Sequence, residues 1–364
     1  MKILFDLTAL YDHLTGIERY NMNLAKSMLR NHSENQYVLL FKNEIHPEFI
    51  DFSQEKNVEI YILPGTNKLF FLQWRMYQEL RKVEADRYLF LSFTSPILFH
   101  HAGIYNAVHD LTCIDYPETM AEKMVHYYRM TTKHAIKNSE KIITISKFSQ
   151  KRICDVYHVK KDFVPIIYCG LSENFLKSYS PRNLSAKYHI PREYLLSVST
   201  IEPRKNLKLL IKAFHELIQE GIELPDLVLA GRKGWKLEDI MDQPDRQVLN
   251  KIHFTGFIED ADLPQLYHDA SLFIFPSLYE GFGIPVIEAM SQGTKVISSD
   301  ASSLPEVVTD YGVLFHSNDV EDLKTKIKEQ LDTMKEKDQA ASTYVRQSFD
   351  WNREAEKLYQ ILSR

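Results

Sequence analysis

A short stretch of the chain gathers more chemistry than any other: Ser277-Leu278-Tyr279-Glu280-Gly281-Phe282-Gly283-Ile284-Pro285-Val286-Ile287-Glu288. The apolar run Leu272–Phe275 reads as a strand that delivers the chain to this glycine loop. Pro285 suits the first turn of a helix, because it lacks the amide N–H that would go unpaired there, and Gly293 closes that helix. Loop and helix start together present backbone N–H groups and the positive end of a helix dipole, which bind anions, phosphate above all. Gly281 and Gly283 let a ligand approach the backbone closely. Glu280 lies before the helix and Glu288 about one turn inside it, so both can face an elongated ligand, one at each end. A carboxylate that accepts from vicinal hydroxyls reads a ribose or a hexose.

Other chemistry is sparse. Gly281-x-Gly283 is the only G-x-G, so there is no G-x-G-x-x-G dinucleotide fingerprint, and no P-loop or H-E-x-x-H occurs, which disfavours a nicotinamide enzyme. Asp260-Ala261-Asp262 matches the D-x-D that metal-dependent transferases use, but it directly precedes Leu263, where an aspartate serves as an ordinary helix N-cap. Cys113, Cys154 and Cys169 are odd in number, lack C-x-x-C spacing, and read as reduced, packed thiols.

The elements that must position these residues follow an alternating rhythm. Met1–Leu7, Tyr37–Phe41, Val58–Ile62, Tyr88–Leu91, Ile104–Val108 and Lys141–Ile145 are short apolar runs separated by helix-length segments, the pattern of a doubly wound parallel sheet. Ile17, Tyr20, Leu24 and Met28 mark an amphipathic helix that begins at Gly16, whose amide could approach a phosphate. Ser178, Ser180, Pro181, Asn183 and Pro191 break the rhythm and set an interdomain linker at about Glu173–Arg192. It restarts with strand Tyr194–Val198 and a helix whose Leu207, Leu210, Ile211, Phe214, Leu217 and Ile218 share one face, with Asn206 as N-cap and Gly221 as stop. Strands at Leu227–Ala230, Ile252–Phe254, Leu272–Phe275 and Lys295–Ile297 complete a second α/β domain. Two Rossmann-like domains in tandem put a ligand cleft between the carboxyl ends of their sheets.

The chain has 364 residues, 44% hydrophobic and 26% charged, which excludes a disulfide miniprotein, a collagen-like fibre and a disordered tail. No apolar stretch approaches the ~20 residues of a membrane helix, and Asp6 interrupts the opening run before a secretory signal develops, so the sequence reads as cytoplasmic. Net charge is −5, yet residues 1–180 carry 22 basic against 20 acidic residues while the rest carry 22 against 29. Ala121–Lys161 concentrates ten basic residues against Glu122, Glu140 and Asp155, and within the helical segment Ala121–Ser139 Arg129, Lys133 and Lys137 recur every four positions. That stripe reads either as a solvated face or as a face that docks on an anionic membrane. An acidic chain without a reader motif argues against nucleic-acid binding.

The pair Glu280 and Glu288, in the form E-G-F-G-x-P-x-x-E, resembles the E-x7-E element of the family 4 retaining glycosyltransferases of GT-B fold. The likeness continues through Ala301-Ser302-Ser303-Leu304-Pro305-Glu306, Ser199-Thr200-Ile201-Glu202-Pro203-Arg204-Lys205-Asn206 and Gly231-Arg232-Lys233-Gly234-Trp235. In the first half it includes Leu14-Thr15-Gly16-Ile17-Glu18-Arg19-Tyr20, His109-Asp110 and Ile145-Ser146-Lys147-Phe148-Ser149. The resemblance implies that Glu288 holds the nucleotide ribose, Glu280 contacts the donor sugar, the amides at Phe282–Ile284 face the donor, and Arg204 and Lys205 neutralise the diphosphate. It also implies that His109 points at the donor sugar from the first domain. Many relatives carry an arginine three residues before the glutamate of the Glu-Pro-Arg-Lys segment; here that position is Ser199, which shifts the load to Arg204.

The expectation is therefore an α/β GT-B fold with an N-terminal Rossmann-like acceptor domain over 1–178, a donor-binding domain over 179–346, and a C-terminal helix, 347–364, returning to the first domain. The implied activity is a metal-independent, cofactor-free, retaining transfer of a hexose from a nucleotide diphosphate sugar, itself a co-substrate, to a free or lipid-linked glycan in surface-polysaccharide assembly. The subgroup it most resembles uses GDP-mannose. The resemblance further suggests front-face substitution, the departing phosphate taking the acceptor proton, with Glu280 as the alternative, a covalent nucleophile. The residues alone leave open a UDP- or dTDP-sugar donor (glucose, N-acetylglucosamine, rhamnose), a sugar-nucleotide epimerase, and a non-catalytic sugar-nucleotide-binding subunit.

Overall fold

The computed structural model describes residues 1–10, 16–65, 71–92, 94–232 and 246–364. Leu14 and Thr15 of the first glycine segment, and Lys233, Gly234 and Trp235 of the turn after Arg232, lie outside the described residues. The chain divides into two compact units, Met1–Gly170 with Asp350–Arg364, and Leu171–Phe349.

Each unit is built on a parallel sheet. In the first, β1 (Lys2–Asp6), β2 (Gln36–Lys42), β3 (Val58–Leu63), β4 (Arg87–Phe90), β5 (Ile104–Ala107) and β6 (Lys141–Ile143) lie in the order β3-β2-β1-β4-β5-β6. In the second, β7 (Tyr194–Val198), β8 (Asp226–Ala230), β9 (Ile252–Gly256), β10 (Leu272–Phe275), β11 (Val296–Ser299) and β12 (Val313–Phe315) lie in the order β12-β11-β10-β7-β8-β9. Helices cover both faces of such sheets, so their inner strands are apolar throughout: every residue of β10 and nearly every residue of β1, β2 and β7 is buried. In both sheets the order reverses beside the first strand, between β1 and β4 and between β7 and β10, the switch points where α/β folds hold ligands.

The edge strand β12 has no counterpart among the expected elements. It is three residues long and only its last, Phe315, is fully buried, so it leaves no continuous apolar run to read.

Three further expectations are corrected. Asn206 occupies the N-cap of the helix Leu207–Gln219, but its backbone is left-handed (φ 53°) and its side chain makes no capping bond, donating instead to Asn318. Asp262 precedes the helix Leu263–Asp269 and does not cap it either. Its fully buried carboxylate gathers Arg182 at 2.5 Å, Lys187 at 2.7 Å and the Tyr188 hydroxyl at 2.6 Å. Those contacts explain the third correction. The Ser- and Pro-rich segment 173–192 is part of the second unit, fastened by Asp262 and by Gln265, whose amide pairs with both backbone groups of Arg182. The units part at Gly170/Leu171 and Phe349/Asp350 instead of 178/179 and 346/347.

Beyond Asp350 the chain belongs to the first unit, where the helix Trp351–Leu362 packs on Gly16–Asn31. Trp351 meets Tyr20 edge-on, the His32 ring stacks on Tyr359 at 3.8 Å, and the fully buried Glu354 accepts from the Tyr168 N–H and from Lys357. Cys113 and Cys169 are buried, and burial pushes the Cys113 thiol up to about 11 and the Cys169 thiol well above its ordinary value, which suits packed thiols and not nucleophiles; Cys154 is half-buried.

Candidate active site

Strands β7 and β10 are neighbours, Leu195 beside Leu272 and Leu196 beside Phe273, and both run in the same direction. They therefore release their loops at one edge of the sheet: β7 leads to Ser199–Lys205, and β10 to Ser277–Gly283 and the helix Ile284–Ser291. The two loops are bonded to each other, the Leu278 N–H donating to the Arg204 carbonyl at 2.9 Å and Arg204 Nη1 donating to the Tyr279 carbonyl at 2.6 Å.

Glu280 is the hub of this junction. Its Oε1 accepts from Lys205 Nζ at 2.5 Å and from Ser277 Oγ at 2.6 Å, and its Oε2 lies 3.2 Å from Arg204 Nη1. Arg204 Nη2 reaches Glu202 Oε1 at 2.7 Å. A third loop, after β11, holds the glycine turn from outside: the Glu280 N–H donates to Ser302 Oγ at 2.7 Å, and Ser303 Oγ lies within donating distance of the Glu280 and Phe282 carbonyls. Gly283 sits at the helix N-cap with φ 114°, a backbone conformation that demands glycine, and a Cβ there would come within 2.8 Å of Leu304 Cδ2. No side chain caps this helix start. Phe282 turns its ring into the core, edge-on to Phe349, so only its backbone is available to a ligand.

Burial alone would push the Glu280 carboxyl up. The charges of Lys205 and Arg204, with the bonds from Lys205 and Ser277, outweigh it and hold the group down at about 2. Burial and the neighbouring Arg204 lower the Lys205 ammonium, against the pull of Glu280. Arg204, Lys205, Glu202 and Glu280 are formally neutral as a set. The expected cation pair thus does not stand open for a diphosphate; it is already committed to carboxylates, and an incoming anion has to share or displace them.

Glu288 lies on the helix Ile284–Ser291, buried, with Oε2 accepting from the hydroxyl of Tyr267 at 2.9 Å. Ser199 directly follows β7, its N–H on the Ala230 carbonyl and its hydroxyl buried without a partner. Beside it, Gly231 (φ 141°) is compulsory, since a Cβ there would fall 1.9 Å from the Ser199 carbonyl.

Two expected site residues belong to the first unit. His109 follows β5, buried, with Nε2 at 2.7 Å from the Leu91 carbonyl and its ring edge-on to Tyr20. A carbonyl only accepts, so Nε2 carries the proton; burial lowers the ring's pKa, which makes His109 a neutral imidazole with Nδ1 as its acceptor. Gly16 opens the helix Gly16–Asn31. Ser199, Arg204, Lys205, Glu280, Gly281, Phe282, Gly283, Ile284 and Glu288 all belong to the second unit. Among the described residues no cluster of three His, Cys, Asp or Glu side chains could hold a metal ion.

Residues 183–348 match the family model described as glycosyl transferases group 1. The second unit thus carries a group 1 glycosyltransferase domain. The chain is 28% identical over 368 residues to the O-antigen chain mannosyltransferase B of Escherichia coli, covering 96% of each chain. It is 36% identical over 193 residues to the serotype-specific mannosyltransferase WbdA of Escherichia coli, a match that takes in 51% of this chain and 24% of that protein. Its fold is GT-B: it superposes on Anabaena HepE, solved with UDP and glucose, with a TM-score of 0.73 over 100% of this chain and 99% of that one, at 20% identity.

Sequence reasoning missed Tyr267 and Ser277, which hold the two glutamates. Ser277 was within reach, lying three residues before Glu280 in the same loop. Tyr267 is 21 positions from Glu288, on another helix, and only the fold joins them.

Proposed function

We propose that this glycosyltransferase moves mannose from GDP-mannose to a hydroxyl of a growing free or lipid-linked glycan in surface-polysaccharide synthesis, with retention at the anomeric carbon and without a metal ion. The observation that carries this reading is the junction of Arg204, Lys205 and Glu280 with the glycine turn at the switch point of the second sheet. The diphosphate lies against the backbone at Phe282–Ile284 and the start of the helix, where the dipole favours negative charge. Glu288 holds the ribose. Arg204 and Lys205 pivot from Glu280 toward the departing phosphate, whose growing charge they stabilise, and Glu280 is freed to accept from hydroxyls of the donor sugar. His109, a neutral acceptor at Nδ1, is suited to a sugar hydroxyl, and Gly16 to an approach of backbone to phosphate. The sugar is suggested by a relative that aligns over 96% of both chains and is named a mannosyltransferase.

The same reading has the enzyme working peripherally at the inner face of the cell membrane. No helix among the described residues is long and apolar enough to cross a membrane. Support for docking comes from the helix Glu122–Asn138: Lys133 and Lys137 are exposed, while Arg129, also at the surface, donates to the Cys113 carbonyl. Gln73 accepts from the Ile97 N–H and donates to the Tyr127 hydroxyl, which ties this helix to two segments that expose Trp74 and Leu98, while the helix itself exposes Met130. Apolar side chains beside lysines suit an anionic bilayer surface.

Incubation with GDP-, UDP- and dTDP-sugars, with and without glycan acceptor, tests the proposal. GDP release from GDP-mannose that depends on acceptor, with an α-linked product, is expected. Release from another donor overturns the sugar assignment; donor turnover without acceptor points to an epimerase, and binding without turnover to a non-catalytic subunit.

A further inference from the structure

Glu288 is placed by a residue outside every segment so far assigned a role. Tyr267 comes from the helix Leu263–Asp269, which precedes β10, whereas Glu288 comes from the helix Ile284–Ser291, which follows it. The Tyr267 side chain is fully buried, its ring edge-on to Phe273 at 5.4 Å and against Phe175 at 5.9 Å. Its backbone is fixed as well, the Tyr267 carbonyl accepting from Thr294 Oγ1 at 2.6 Å. Aromatic packing therefore sets the position of the hydroxyl, and that hydroxyl lies 2.9 Å from Glu288 Oε2. A carboxylate only accepts, so the phenol is the donor.

We infer that Tyr267 is a positioning residue for nucleotide binding: it pins one oxygen of Glu288 and so fixes the direction in which the other faces the ribose hydroxyls. This rests on the reading of Glu288 as the ribose contact. A glutamate side chain has three staggered wells at each of two torsions, and most of those rotamers point the carboxylate elsewhere. Apparent affinity falls by the fraction of molecules in the competent arrangement, so losing the pin is expected to weaken nucleotide binding roughly three- to tenfold. The donor sugar and the departing phosphate are handled by other groups, so turnover at saturating donor is expected to hold.

The test is calorimetric titration of GDP and UDP into the full-length protein for four forms: wild type, Tyr267→Phe, Glu288→Gln and the double variant. Tyr267→Phe keeps the ring in its aromatic cage and removes only the donor. It is expected to raise Kd and donor KM roughly three- to tenfold while leaving kcat close to wild type, and the double variant is expected to bind no more weakly than Glu288→Gln alone. Additive losses, or an unchanged Kd for Tyr267→Phe beside a weakened Glu288→Gln, overturn the positioning role. A lower Tm of Tyr267→Phe with unaltered Kd does the same, since it marks a purely structural hydroxyl. If Glu288→Gln itself binds both nucleotides like wild type, the ribose reading falls, an outcome distinct from failure of the tyrosine alone.

Discussion

Replacing Glu280 by glutamine removes the carboxylate charge that both Arg204 and Lys205 contact, while keeping size and one acceptor oxygen. The carboxyl is held at about 2 against an ordinary 4.5, a gap that corresponds to roughly 3 kcal/mol of folded-state stability at neutral pH. Breaking a buried ion pair by removing one partner costs a similar amount, about 3–5 kcal/mol. The sign with pH follows from the direction of the shift. A depressed carboxyl stabilises the fold fully above its unfolded value near 4.5 and loses that contribution as pH falls toward 2, so the difference between wild type and Glu280→Gln should shrink to roughly half by pH 3. Urea unfolding followed by tryptophan fluorescence and by circular dichroism, at pH 7 and in steps downward, measures it. Glu280→Gln with the wild-type midpoint at pH 7, or a deficit that does not narrow on acidification, would refute the argument that Glu280 is an ionised counter-ion for two cations.

Lys205→Ala leaves Glu280 with Arg204 and Ser277, so the protein should fold; kcat should drop on the order of a hundredfold, and full activity would take Lys205 out of the site. Dialysis against a chelator should leave turnover unchanged, and loss that a divalent ion restores would contradict the metal-free mechanism. Reversing both Lys133 and Lys137 to glutamate should weaken sedimentation with anionic vesicles by roughly thirtyfold or more at low salt, at ~1 kcal/mol for each lysine lost. Equal binding by both forms would remove that helix from any membrane contact.

The parts of the fold legible in the sequence are those where one physical demand dominates. Strands buried on both faces must be apolar throughout, so β1, β2, β7 and β10 stand out, whereas β12, three residues long and half-exposed, does not. The glycine turn was legible because Gly283 at φ 114° and Pro285 in the first helical turn answer local constraints. Interactions between distant residues were not. Asp262 has the position and chemistry of a cap, yet Arg182, Lys187 and Tyr188, 74 to 80 residues earlier, claim its carboxylate, and that cluster is also why the Pro-rich segment is no linker. Arg204 and Lys205 read as free cations, because nothing in their own segment reveals that Glu280 folds back onto both.

The most direct test of the account is a crystal structure of the protein with GDP bound. It predicts the diphosphate against the backbone of Phe282–Ile284, with Arg204 and Lys205 turned from Glu280 toward it and the ribose hydroxyls on Glu288. A nucleotide bound elsewhere, with the Glu280 cluster and the Tyr267–Glu288 pair unchanged from those described above, would contradict it.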